Sequence, residues 1–82
     1  MALWIEFHKP DLTGNLAPAL GSDGFQRCDG RASIRTAKIE AQRRAHNLRF
    51  VQPHYSAFRI MSGDMPRNSR AVSGLIAIRK AA

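Results

Sequence analysis

Acidic residues are scarce in this 82-residue chain: six Asp and Glu stand against thirteen Lys and Arg, a net charge of +7. The carboxylates are also scattered singly, so no acid/base pair for catalysis is marked by spacing. Cys28 is the only cysteine, which excludes an internal disulfide and makes a reducing cytoplasm the expected compartment. As a nucleophile Cys28 has no flanking base, and a buried structural role is the expectation. No run approaches the ~20 apolar residues of a membrane helix. MALWIEFHKP lacks the basic start and long apolar core of a secretory leader. Repeats and low-complexity tracts are missing too.

The soft metal ligands are Cys28, His8, His46 and His54, and their separations match no short paired spacing of a zinc site. Ser56, Ser62, Ser69 and Ser73 lie in no elbow motif, and no Gly-rich phosphate cradle precedes a helix. Neither a cofactor nor a metal is expected, and binding is favoured over catalysis.

What is present is organised around DGRASIRTAKIEAQRRAHNL, residues 29–48. Ser33 is a helix N-cap, because its hydroxyl can accept from the free N–H groups of the first turn. At 100° steps Ile34, Ala37, Ala41, Ala45 and Leu48 share one stripe, the pattern of a helix packed on a core. The small alanines suit close approach to a β-sheet. The spacing therefore predicts a helix over about 33–47, ended by Asn47. Ile39 lies about 140° from Ile34, on the polar side, without an evident partner. A competing reading takes FQRC-DG-RASI as a hairpin turning at Asp29-Gly30, with Phe25 opposite Ile34 and the helix starting near Thr36.

Alternation places Leu3, Ile5 and Phe7 on one side of a strand over 2–9, with Trp4, Glu6 and His8 on the other. Residues 10–24 contain two prolines and read as a long loop, pinned through Leu12, Leu16 and Leu20 or reaching a neighbouring subunit. Further strands are expected at Phe25–Cys28, His54–Ser62 and about Val72–Lys80, with Leu48–Val51 extended up to Pro53. In His54–Ser62, Tyr55, Ala57, Arg59 and Met61 share a side opposite Phe58 and Ile60. The last strand is apolar on both faces and belongs centrally under the helix or against another subunit. The sum is one two-layer α+β domain: three or four mostly antiparallel strands in the order β-β-α-β-β, with the helix on one face. One helix covers one face. The other, presenting Trp4, Glu6, His8, Tyr55, Arg59 and Leu75, is where function or a dimer contact is expected.

Charge is asymmetric along the chain. Residues 1–30 hold two basic and four acidic residues, a net of −2, whereas 31–82 hold eleven and two, a net of +9. Two function classes follow. A homo-oligomeric protein-interaction or regulatory module explains the small core, Ile39, the last strand and the uncovered face with the fewest assumptions; its contact residues would be Trp4, Ile39 and Leu75. The alternative is nucleic-acid binding by Arg31, Arg35, Lys38, Arg43 and Arg44, helped by Arg49, Arg67, Arg70, Arg79 and Lys80, with Tyr55 and Arg59 stacking bases from one strand face. Clustering of the arginines on one exposed surface would favour the second class over the first.

The segments DGRASIRTAKIEAQRRA and FRIMSGDMPRNSRAVSGLIAI, within residues 29–78, resemble small proteins carried by phages, plasmids and integron gene cassettes. Those share a DGR segment, an Ala-rich helix and a strand ending in Gly before a final apolar strand. The resemblance implies a mobile-element origin and a cytoplasmic regulatory or partner-binding role. It carries over no functional residue.

Overall fold

In a computed structural model, the described residues are 2–19, 24–48, 55–64 and 68–79, with no account of the side chains of Asn47 and Leu48. They form six strands and one helix: β1 (Ala2–Pro10), β2 (Leu16–Pro18), β3 (Phe25–Arg27), α1 (Ile34–Leu48), β4 (Ala57–Gly63), β5 (Arg70–Ala71) and β6 (Ile76–Ala77). The expected small α+β class holds, as a mostly antiparallel half-barrel with the helix on one side, but with six strands in the order β-β-β-α-β-β-β where three or four in the order β-β-α-β-β were expected.

β1 and β4 are the central pair, antiparallel from Ala2↔Gly63 to His8↔Ala57. Their register sets Ile5 opposite Ile60 and Phe7 opposite Phe58. These four side chains are fully buried, and each contributes roughly 1.5–3 kcal/mol by leaving water. The alanine ridge of α1, Ala37, Ala41 and Ala45, lies buried against them. Small side chains let the helix backbone approach the two central strands. Leu48, assigned to the same stripe, lies outside the described side chains, and Ile34 is largely exposed at the helix start.

The helix begins where Ser33 caps it. The Thr36 N–H donates to Ser33 Oγ at 3.2 Å, and the Ser33 N–H donates to Thr36 Oγ1 at 2.8 Å. This is a reciprocal capping box with Thr in the usual Glu or Gln position. The Asp29 carboxylate accepts the Arg31 N–H and its carbonyl accepts the Ala32 N–H, forming the entry turn. The hairpin alternative for 25–34 is thereby excluded: β3 pairs with β1, not with residues 31–34.

Three expectations need correction. Residues 10–24 are not all loop. Asp11 turns the chain by accepting the Thr13 and Asn15 N–H groups, Gly14 takes φ +86°, and β2 returns antiparallel along β1. Leu12 and Leu16 are exposed rather than pinned, Leu20 lies outside the described residues, and Ala19 is the buried anchor. Its N–H donates to the Phe7 carbonyl, while the Phe7 N–H donates to Gly24. A Cβ at Gly24 would collide with Ala19, so glycine is what lets β2 and β3 meet end to end beside β1.

The last strand is neither continuous nor central. β5 and β6 both pair with the outer side of β4, and the registers Met61↔Ala71 and Phe58↔Ile76 leave two extra residues between them. Ser73 Oγ accepts the Ile60 N–H at 2.9 Å within this bulge, replacing a ladder bond. Ile76 and Ile78 still face the core, as alternation required, and Leu75 and Ala77 face out.

Tyr55 is the third. It lies before β4 and stacks on Phe7, centroids 4.9 Å apart and planes within 6°, so it joins the helix-side core. It does not share a face with Arg59. The extended run expected from Leu48 is corrected at its first residue, since Leu48 still belongs to α1; the rest of it, up to Pro53, and His54 lie outside the described residues.

Candidate functional site: an arginine-lined cleft beside the helix

Side chains of α1 reach both borders of the half-barrel. On one flank the Gln42 amide donates to the Ala77 carbonyl and accepts the Arg79 N–H, both at 2.9 Å. His46 Nε2 lies 2.7 Å from the Arg79 carbonyl. The outward backbone groups of the edge strand are thus met by helix side chains. On the other flank Arg44 Nη1 donates to the Arg27 carbonyl at 2.9 Å and to Gln26 Oε1 at 3.4 Å. Arg44 ties β3 to the helix.

Between that flank and the entry turn lies a cleft of about 600 Å³, lined by Arg27, Cys28, Asp29, Arg31, Ala32, Thr36, Glu40, Arg43 and Arg44. Glu40 is its pivot. Its carboxylate accepts from Arg43 and, at 3.0 Å, from Arg44 Nε. These bonds, Arg43's first, hold the Glu40 carboxyl below its ordinary range. Cys28 forms part of the wall, and burial pushes its thiol up, so it stays protonated and inert at neutral pH. The cations differ in their freedom. Arg44 is fixed by three partners, Arg43 is 71% exposed on a single partner, and Arg31 has no ion pair among the described residues.

The sequence-level candidates therefore separate. Arg31, Arg43 and Arg44 come together around the cleft. Arg35 and Lys38 do not line it; at 100° steps they project toward the Gln42 flank. Arg59 lies across the sheet, and Tyr55 is in the core. Among the proposed association residues, Ile39 (63%) and Leu75 (51%) are exposed. Trp4 is half-buried, its ring against Phe25 and its Nε1 donating to the Gly63 carbonyl at 3.0 Å. Arg49, Arg67 and Lys80 lie outside the described residues.

The face away from the helix carries a second polar cluster. Glu6 Oε1 accepts from Arg59 Nε at 2.6 Å and lies 2.7 Å from His8 Nε2. Glu6 is 9% and His8 4% exposed, and His8 Nδ1 is buried without a partner among the described residues. The i, i+2 spacing of Glu6 and His8 was the readable signal that they share a face. That a carboxylate and an imidazole pair there, closed by Arg59 from the facing strand, depends on the β1–β4 register, which no short-range pattern reveals.

No family model, curated protein or solved structure matches the chain. No helix among the described residues is long and apolar enough to cross a membrane. Cys28, His8 and His46 sit on three different sides of the sheet and helix.

Proposed function

We propose that the protein is a small binding module whose working surface is the cleft of Arg31, Arg43 and Arg44, and whose partner is a nucleic acid held through its phosphates. The carrying observation is the convergence of these arginines on one open cleft. That arrangement supports the nucleic-acid reading over the association reading. Arginine forks match phosphate oxygens, and Arg31 and the exposed Arg43, lining the same cleft, supply two guanidinium groups for an anion. Among the described residues no aromatic side chain lines the cleft, which favours recognition of the strand by charge through its phosphates rather than by sequence.

Fluorescence anisotropy with a labelled single-stranded oligonucleotide and a duplex tests this. Two or three neutralised phosphates give a slope of log affinity against log salt of roughly −1.4 to −2.1 for single strands. Arg43→Gln lowers that slope by about 0.7, whereas Arg35→Gln, outside the cleft, leaves it nearly unchanged. Equal effects of the two substitutions would reduce the cleft to one part of a generally basic surface.

Self-association, the reading that the sequence ranked first, keeps one supporting observation: Ile39 and Leu75 are large apolar side chains left in solvent. Sedimentation of wild type and Ile39→Glu across micromolar concentrations tests it, and a monomer throughout rejects it. A mobile-element origin remains the proposal drawn from the resemblance over 29–78.

A further inference from the structure

We infer that the ring pair Trp4–Phe25 is a stacking platform for an unpaired base of the strand whose phosphates lie in the cleft, so that the protein takes single-stranded nucleic acid in preference to duplex. The inference rests on the reading of the cleft as a phosphate site. The two places are joined through β3. Arg27 lines the cleft and is also the register partner of Trp4 on β1. Directly opposed residues of an antiparallel pair share a face, and Phe25, two residues along β3, lies against Trp4 with ring centroids 5.4 Å apart. Leu3, Ile5 and Phe7 pack toward the helix, so alternation sends Trp4 to the opposite face. A strand leaving the cleft at Arg27 has only β3 to round before it meets the rings. Neither ring belongs to the core under the helix, and both are half-buried, with part of their surface left in solvent. Trp4 Nε1 donates to the Gly63 carbonyl, which fixes the indole, and a ring already fixed loses little freedom when a base lands on it. Glu6, opposite Phe25, has its charge met by Arg59. Every base has a π-face, so stacking tolerates any sequence, whereas a duplex keeps its bases stacked on one another.

Trp4 is the only tryptophan, so its fluorescence reports stacking while the anisotropy of an end-labelled strand reports binding. The test compares a 12-mer of deoxythymidine, an abasic deoxyribose-phosphate strand of the same length and a duplex, with unlabelled strands for the fluorescence. The thymine strand is expected to quench Trp4 and to bind about fivefold tighter than the abasic strand, the lower end of what one stacked base contributes. The abasic strand and the duplex are expected to bind without that quenching. Equal affinity for the thymine and abasic strands overturns the inference while the phosphate reading stands, and so does a Trp4 signal that all three ligands leave alike. Binding of none of the three overturns the phosphate reading itself. Trp4→Leu is expected to compress the fivefold ratio to twofold or less, and a retained ratio overturns the inference. Should Trp4→Leu lose its cooperative melt, Phe25→Leu takes its place: it keeps the fluorophore and is expected to lower both the ratio and the quenching, and an unchanged pair of readings overturns the inference.

Discussion

Glu6 uses one oxygen to meet two nitrogens in a nearly closed site, accepting from Arg59 Nε at 2.6 Å and lying 2.7 Å from His8 Nε2. Removing it strands both partners. Glu6→Ala is expected to cost about 2–3 kcal/mol in urea unfolding, the scale of a hydrogen bond to a charged group. Arg59→Ala is expected to cost less, because Arg59 is a third exposed and water replaces part of what it loses. Two other carboxyls act through protonation. Arg43 and Arg44 lower Glu40, and the Thr13 hydroxyl with nearby backbone amides lowers Asp11. A folded value below the unfolded one means that the stability they add is complete above 4.5 and 3.8 and is lost as pH falls through their lower folded values. Equilibrium unfolding at constant salt should therefore hold level with respect to these two groups above about pH 5 and weaken below about 4. Cys28 has the opposite sign: its raised value adds stability below 9.0 that is lost as pH rises through the folded value. In the native state it should react with a thiol reagent more slowly than in the unfolded chain. At this scale the sequence was legible where one residue sufficed, as with Ser33 at its cap. It was opaque for Tyr55, whose facing was read from strand alternation although the strand starts two residues later.

The helix works as a strap. Its alanine ridge seats on β1 and β4, and its two flanks reach opposite borders of the half-barrel, Arg44 to β3 and Gln42 with His46 to β6. Edge strands left open invite pairing with another chain, and Gln42 meets the outward carbonyl of Ala77 and amide of Arg79 instead. Gln42→Ala should lower stability by about 1–2 kcal/mol and raise concentration-dependent aggregation, followed by light scattering. Ala41→Leu forces a branched side chain between helix and sheet and should cost about 1–3 kcal/mol; a neutral result would mean that the helix stands farther off than the ridge implies. The ridge was readable because three alanines at intervals of four leave one solution for a helix. β2 was not, because three residues, Leu16–Pro18, are too short to show an alternating pattern. The break between β5 and β6 was also hidden, since a two-residue bulge leaves the apolar content of the strand intact. Which border each helix flank would reach could not be read at all, because it depends on how the helix lies on the sheet.

Across the whole molecule the charge map of the sequence becomes, among the described residues, a surface with a concave basic site. The basic residues of the helix and its entry turn are not spread evenly: Arg31, Arg43 and Arg44 gather at the β3 side, while Arg35 and Lys38 belong to the other flank. Chain asymmetry pointed toward an anionic partner as one reading, but only the fold divides the cations into those that line a cleft and those that do not. The central claim is that the partner's phosphates enter this cleft. The most direct measurement is a backbone amide NMR titration of the labelled protein with a single strand at about 0.15 M salt, where exposed charges are screened within ~8 Å. The account predicts shifts concentrated at Asp29–Ala32 and Glu40–Arg44. Shifts centred instead on His8 and Arg59, or spread evenly over every basic residue, would contradict it.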